Sequence, residues 1–215
     1  HMRNRQFETA VKEWEKALVL SPDEWRAHNS LGVALMEIGQ IEEAISHYRQ
    51  ALDLNPEYAE AYNNLGEASV KKGSADDAVK YFEKAVQLDP SYAVACANLG
   101  MMFARTGQKE NAVVYMRKAA ELTPDSADAL RNLGHSLADI DKYTEAIVHL
   151  KISVELSKEK DALALHLLGR AYADNGKITD AVKANRKALE VAMSQQNVRL
   201  VNAVEMHLMQ LLRQL

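Results

Sequence analysis

The chain has 215 residues, of which 47% are hydrophobic and 26% are charged. A chain of this composition can bury a core, and it is too polar to be disordered or to lie within a membrane. Its 26 basic and 30 acidic residues give a formal charge of −4, which argues against nucleic acid as a partner.

Cysteine usage and hydropathy favour a cytoplasmic protein. The single cysteine, Cys96, cannot form an internal disulfide, so nothing requires an oxidising compartment. No apolar run in the sequence approaches the roughly 18 residues of a membrane-spanning helix, and no charged-then-apolar signal segment opens it. We therefore expect a cytoplasmic location without membrane insertion.

Proline and glycine recur with a fixed period. The prolines are Pro22, Pro56, Pro90 and Pro124, each 34 residues after the last. The nine glycines fall in two columns, Gly32, Gly66, Gly100, Gly134 and Gly169, and Gly39, Gly73, Gly107 and Gly176. A period of about 20 to 50 residues is typical of solenoids built from repeated units.

The predicted elements follow this period along the chain. Residues 1–2, His-Met, look like a cloning remnant, so we do not expect the natural N-terminus there. Residues 3–24 supply only the second helix of a repeat. Full helix–turn–helix units follow at 25–58, 59–92, 93–126, 127–160 and 162–195, and 197–215 forms a C-terminal helix.

The second unit shows the reasoning. Leu31, Leu35 and Ile38 form one apolar stripe at helical spacing, and a second stripe begins at Ile41. Gly39 between them suits the left-handed residue that closes a helix. The Asn-Pro pair at 55–56 ends the second helix, because proline lacks an N–H and restricts its predecessor.

Small and large residues alternate in register, which predicts close helix packing. The second helices carry alanine at Ala44 and Ala78, followed four residues later by the rings of Tyr48 and Phe82. Gly66, although it costs about 1 kcal/mol in a helix relative to alanine, lets such a ring pack against the backbone of the first helix.

The stretch "AYNNLGEASVKKGSADDAVKYFEKAVQLDP" resembles a tetratricopeptide repeat in its LG, turn-Gly, Ala, aromatic, Ala and Pro columns. The resemblance covers residues 3 to about 195. It implies an all-α, right-handed α-α superhelix, a solenoid with a C-terminal helix, whose concave groove is lined by the first helix of each repeat.

Two parts of the chain depart from the pattern. Asp141 replaces the turn glycine and Lys158 the proline of the fifth unit, and one extra residue lies near Lys160, so we expect this junction to be the loosest. At the C-terminus, Val201, Val204, Leu208, Leu211 and Leu215 form an apolar stripe. A structural cap is favoured there over a self-association or partner surface.

The predicted groove carries asparagines in register. Asn64, Asn98 and Asn132 form one column, and Asn63 lies in the column beside it. Amides one repeat apart can bond the backbone of an extended peptide, similar to the asparagine ladder of the arrays that feed O-GlcNAc transferases. The alternative is that the amides bond adjacent helices and stiffen the stack.

Charge along this groove is predicted to be uneven. Glu37, Glu60 and Glu67 lie in its N-terminal half, Arg105, Arg131, His135, His166 and Arg170 in its C-terminal half, and Val94, Ala97 and Met101 between them. Such a groove favours a peptide with an acidic stretch, an apolar anchor and a basic stretch. Alternatively these charges are solvated or paired on their own helices, as Arg170 with Asp174.

No motif for a nucleophile, a phosphate loop or a metal site is present in the sequence. The groove columns also lack the pattern of the carboxylate-clamp subgroup. We therefore expect a non-enzymatic module without cofactor or metal, which binds a protein or peptide. Two rival interpretations remain: a self-assembling scaffold of the magnetosome-associated type, which associates through terminal helices, and the substrate-recognition arm of a larger enzyme.

Overall fold

A computed structural model describes residues 2–214, with side chains from residue 5 onward. Helices make up most of these residues and no strand occurs among them, which confirms the predicted all-α class. The helices are α1 (Met2–Leu20), α2 (Trp25–Glu37), α3 (Ile41–Leu54), α4 (Ala59–Lys72), α5 (Ala75–Leu88), α6 (Ala93–Arg105), α7 (Lys109–Leu122), α8 (Ala127–Ala138), α9 (Tyr143–Leu156), α10 (Ala162–Asp174), α11 (Ile178–Ser194) and α12 (Val198–Leu212). The predictions for His1 and Leu215 lie outside the described residues.

The chain forms two compact units, unit 1 (His1–Thr106) and unit 2 (Gly107–Leu215). In unit 1, α2 packs on α3 and α4 on α5, and the core includes Leu31, Tyr48 and Leu65. In unit 2, α8 packs on α9 and α10 on α11, and the core includes Leu133, Leu150 and Leu168. Among the described residues, no helix combines the length and hydropathy that a membrane span needs.

The contact between glycine and a large side chain predicted from the repeat is present. A Cβ atom added at Gly32 would lie 2.5 Å from Cε1 of Tyr48, and one added at Gly66 would lie 2.5 Å from Cε1 of Phe82. In these two pairs, the backbone of the first helix therefore packs directly on a ring of the second helix. In unit 2, Leu150 takes the place of the ring under Gly134, with its Cγ 2.6 Å from an added Cβ.

The turns inside the helix pairs use left-handed backbone. Gly73 closes α4 with φ of 81°, and its N–H donates to the carbonyl of Val70. Asp141, which replaces glycine between α8 and α9, adopts φ of 61°. Lys158 and Glu159 follow α9 with φ of 52° and 58°, at the junction where the extra residue is inserted. The expectation that this junction is the loosest stays a prediction.

One core position of unit 2 is polar. Asn185 of α11 continues the column of Tyr48, Phe82 and Leu150, and it is fully buried beneath Gly169. Its Nδ2 donates to the carbonyl of Ala181 at 2.9 Å. Its Oδ1 lies 2.8 Å from Nδ1 of His166 and 3.4 Å from Nδ1 of His207 on α12. Because an amide oxygen only accepts, Nδ1 of His166 carries the proton of the shorter bond.

The C-terminal helix α12 packs against α11 and α10 through part of the predicted stripe. Val204, Leu208 and Leu211 are buried, and the Asn197 side chain caps the helix by accepting from the N–H of Leu200. Its other face remains apolar and exposed at Met206, Met209 and Leu212.

Candidate functional site

The asparagines of unit 1 bond one another across successive helix pairs. Asn64 Nδ2 on α4 donates to Oδ1 of Asn29 on α2 at 2.9 Å, and Asn98 Nδ2 on α6 donates to Oδ1 of Asn63 on α4 at 2.9 Å. Both bonds join residues 35 positions apart. The acceptors Asn29 and Asn63 are only 2% exposed. The amides therefore bond neighbouring first helices, and the predicted contact with a peptide backbone stays a prediction.

Carboxylates complete this network. Glu60 accepts from Asn29 at 3.3 Å and from the Tyr58 hydroxyl at 2.7 Å. Glu67 accepts from Asn63 at 3.1 Å and from Asn98 at 3.0 Å. The two N–H groups of Asn98 are thus both used. The Oδ1 atoms of Asn64 and Asn98, in contrast, accept no hydrogen bond from the residues that the structure describes.

These two oxygens lie on a face that we call the inner face of unit 1, defined by Val33, Asn64, Glu67, Asn98 and Met101. Val33, Glu67 and Met101 are exposed and occupy equivalent positions of α2, α4 and α6, one residue after the LG glycines. The inner face thus alternates apolar side chains with a carboxylate, beside half-buried amides.

The pKa values of three tyrosines near this face are raised, mainly by burial and in addition by carboxylates. Burial first, and then Glu60 and Glu67, raises the pKa of Tyr92 to about 12. Burial, followed by Glu67, Glu37 and Glu60, raises the pKa of Tyr48. Burial and the hydrogen bond to Glu60 raise the pKa of Tyr58. Glu60 acts on all three rings and Glu67 on those of Tyr48 and Tyr92, so the potential here is negative.

Arg105, the last residue of α6, is the remaining predicted partner contact of unit 1. It is exposed, and its Nη1 lies 3.8 Å from the sulfur of Met102. Of the predicted contacts in this unit, Asn63, Glu67 and Asn98 share one set of hydrogen bonds, and Asn64 bonds Asn29. Among the described residues, no hydrogen bond or ion pair connects Arg105 to either set.

In unit 2, Arg131 is held by structural partners. Its Nη1 lies 2.7 Å from a carboxylate oxygen of Asp128 and also bonds Asp161. Asp161 caps α10 as well, accepting from the N–H of Ala164 at 3.0 Å. Arg131 and Asp161 occupy the columns of Asn29 and Tyr58, so a guanidinium–carboxylate pair here replaces an amide–phenol pair of unit 1.

The other predicted residues of unit 2 differ in accessibility. His135 and Arg170 are exposed and border the same small cavity of about 30 Å³, together with Asp139 and Asp174. Arg170 forms no ion pair with a described residue, including Asp174. Asn132 is half-buried. His166 is 8% exposed and bonded to Asn185, so it is a core residue; burial as the main cause lowers its pKa.

Sequence reasoning left Asn29, Tyr58 and Asp161 out of the predicted contacts. A signal for the first was present: asparagines at positions i and i+35 occur twice in the sequence, as 29 with 64 and 63 with 98. No signal distinguishes Asp161 from other acidic residues, because its role depends on its distance from Arg131. No group of three or more metal-ligating side chains is found in the described part of the chain.

Comparisons with known proteins identify the repeat. Family models described as tetratricopeptide repeats match residues 1–52 with 131–197, 59–92 and 93–126, and a model described as a TPR repeat matches 34–73. None of the curated proteins matches the chain by sequence.

Solved structures share the fold. YrrB, described as a TPR protein with an unusual peptide-binding site, has a TM-score of 0.76 at 23% identity, over 91% of this chain and 98% of that one. MamA has a TM-score of 0.70 at 27% identity, over 78% of this chain and 97% of that one. MamA from Desulfovibrio magneticus RS-1 has a TM-score of 0.72 at 19% identity, over 80% of this chain and 96% of that one.

Proposed function

The chain belongs to the tetratricopeptide repeat family, and we propose that it is a non-catalytic interaction module whose unit 1 binds an extended segment of a partner protein. The proposal rests on the hydrogen bonding of Asn64 and Asn98 on the inner face of unit 1. Their N–H groups are engaged with the protein, while their carbonyl oxygens remain open to accept from a ligand.

The spacing of these oxygens suits a peptide backbone. They lie at equivalent positions of α4 and α6. The side chains of α4 and α6 meet at Asn63 and Asn98, and neighbouring helices lie roughly 8–10 Å apart. A segment in the polyproline II conformation rises about 3.1 Å per residue with three residues per turn, so its N–H groups three residues apart point to the same side. The two oxygens therefore match such a pair of N–H groups. Because hydrogen bonds already orient the amides, little side-chain freedom is lost on binding.

The remaining side chains of the inner face select the ligand. Val33 and Met101 offer apolar contact, and Glu67 with the nearby Glu60 and Glu37 favours lysine or arginine in the bound segment. In unit 2, His135 and Arg170, with Asn132, are proposed contacts for an acidic group. In unit 1, the exposed Arg105 is proposed by itself as a contact for an acidic group. We assign Asn63, Arg131 and His166 to the structure of the module, because their polar groups have partners within it.

The test selects short peptides on the immobilised protein and measures their affinity for defined variants. N64A/N98A should weaken binding about tenfold, since two hydrogen bonds of about 0.5–1.5 kcal/mol are lost. Methylating the two contacting backbone nitrogens of the peptide should weaken binding of the unmodified protein equally. N111A, an exposed asparagine of α7, is the matched control. Selected peptides that bind N64A/N98A and the parent equally would refute the proposal.

A second candidate function is self-association, and one observation favours it. The face of α12 at Met206, Met209 and Leu212 is apolar and exposed, each side chain being about half exposed or more, and we propose that it packs against a second copy. Light scattering of the parent and M206E across a concentration series tests it; a parent that stays monomeric excludes it.

A further inference from the structure

Four of the second helices carry a ring at one column beside the LG contact, whereas α1 has Glu13 there and α11 has no ring either. His47, Tyr81, Tyr115 and His149 occupy this column in α3, α5, α7 and α9. The equivalent residue of α11 is Ala184, the neighbour of Asn185. The last helix pair has therefore lost a large side chain on the surface formed by its second helix.

The effect is visible when equivalent grooves of the two units are compared. In unit 1, a groove between α3 and α5 runs over Leu65 of α4, and Tyr81 lines it; its volume is about 230 Å³. In unit 2, the groove between α9 and α11 runs over Leu168 of α10, with Ala184 in place of the ring; its volume is about 880 Å³. The larger groove has Ala184 where the smaller one has Tyr81, and it is also lined by Leu212 of α12.

The floor of the larger groove is apolar and tightly packed. Val154, Leu165, Leu168 and Val182 line it and belong to the core of unit 2, while Tyr172 forms a half-buried wall. Leu168 is 7% exposed, whereas the equivalent Leu65 is 2% exposed. The groove therefore presents core side chains to a ligand and has the size of a ligand pocket.

The rim determines the charge of the occupant. It carries four cations, Lys151, Lys183, Arg186 and Lys187, and four carboxylates, Glu155, Glu159, Asp180 and Glu190. Lys187 lies 3.7 Å from Glu159 and 3.6 Å from Glu190. The charges balance, so the rim complements a group without formal charge.

We propose that this groove, defined by Val154, Leu165, Leu168, Tyr172, Val182 and Ala184, docks an uncharged aromatic side chain of a partner protein. Because alanine stands at position 184 where other repeats have a ring, the groove has room for an aromatic ring of the partner. Because the charges of the rim balance, we expect that ring to carry no charge. An aromatic ring buried on such a floor contributes both apolar area and an aromatic contact with Tyr172. This site is separate from the inner face of unit 1.

The experiment uses p-cresol, the tyrosine side chain without its backbone, and follows the methyl resonances of Leu165, Leu168 and Val182. Saturable shifts are expected in the parent and their loss in A184Y, whose ring fills the groove. A184L serves the same purpose if A184Y does not fold. Y81A is the reciprocal variant: it should gain p-cresol binding at Leu65. Absence of saturable shifts in the parent, or equal shifts in the filled variants, would overturn the proposal.

A second comparison separates a protein partner from a free small molecule. N-acetyltyrosinamide presents the same ring with flanking peptide groups, and 4-hydroxyphenylacetate adds a negative charge. Tighter binding of N-acetyltyrosinamide than of p-cresol, together with weaker binding of 4-hydroxyphenylacetate, supports docking of a neutral side chain. A groove that binds p-cresol but excludes N-acetyltyrosinamide takes a free ring compound, which contradicts the proposal.

Discussion

Asn98 and Asn63 are joined across two successive first helices, with Nδ2 of Asn98 2.9 Å from Oδ1 of Asn63. Asn63 in turn donates to Glu67, which also accepts from Asn98. The three side chains form a closed set of hydrogen bonds, and Asn63 is its buried member. Removing Asn63 deprives both of the others of a partner.

We expect N63A to lower the free energy of unfolding by about 1–3 kcal/mol, the cost of leaving polar groups without partners in a buried site. Urea unfolding followed by circular dichroism measures it. N132A is the matched control, because Asn132 forms no hydrogen bond with the described residues; its effect should stay within about 0.5 kcal/mol. Equal effects of the two substitutions would contradict the role given to Asn63.

The packing of bare backbone on a ring predicts the effect of G66A. The added methyl would lie 2.5 Å from Phe82 Cε1, so the ring and the helix must separate, at a cost of about 1–3 kcal/mol. G66A should cost less in an F82A background, because no ring then remains to be displaced. The test is a double-mutant cycle from unfolding free energies; strictly additive effects would show that the two residues do not clash.

Arg131 should matter for stability, unlike Arg170. In R131M the partly buried carboxylate of Asp161 loses a charged donor, as does the exposed carboxylate of Asp128, and the free energy of unfolding should fall by roughly 1.5–3 kcal/mol. R170M removes an exposed guanidinium and should change the free energy by no more than about 0.5 kcal/mol. Urea unfolding of both variants measures these changes in free energy. If R131M is as stable as the parent, Arg131 returns to the set of proposed ligand contacts.

Stability should decrease in mild acid. Burial is the main cause that lowers the pKa of His47, His149, His166 and His207 below the ordinary 6.5. The unfolded chain therefore takes up protons first as the pH falls below about 6.5, and folding loses free energy down to the lower folded-state pKa values. Urea unfolding at about pH 7.5 and about pH 5.5, above the range of ordinary carboxylates, should show the lower stability at the acidic pH.

The predicted loss of stability in acid can be tested locally at the neighbouring residues His166 and His207. Each is near the positive charge of Arg170, which also lowers its pKa, while Asp174 raises that of His207. H207Q removes one titrating group from this cluster and should reduce the loss of stability between the two pH values. A loss that is unchanged in H207Q would place the acid sensitivity elsewhere.

The period of the sequence was sufficient to predict the helix pairs and the contacts of Gly32 and Gly66, because those depend on spacing alone. The asparagine row was predicted in position but its bonding was left open between a ligand and a neighbouring helix. That choice depends on side-chain distances: Nδ2 of Asn64 donates to Asn29, while Oδ1 of Asn64 accepts no hydrogen bond from a described residue. Periodicity does not supply such distances.

Departures from the period are visible in the sequence, but their consequences depend on neighbours distant along the chain. Ala184 breaks a column of rings, and only the position of α9 and α10 shows that a groove results. Asn185 breaks a column of large side chains, and only the proximity of His166 and His207 shows how its amide is accommodated. Arg131 was expected to face a ligand, and its ion pair with Asp161 depends on the position of α10, which the spacing does not supply.

The bonds between asparagines 35 residues apart bear on how unit 1 unfolds. In a repeat array, stability is a sum of the intrinsic stability of each repeat and the coupling between nearest neighbours. Asn29 with Asn64 and Asn63 with Asn98 add to the coupling and not to the repeats themselves. A helix pair of unit 1 that melts therefore weakens its neighbours, so these amides make the melting of the unit more cooperative.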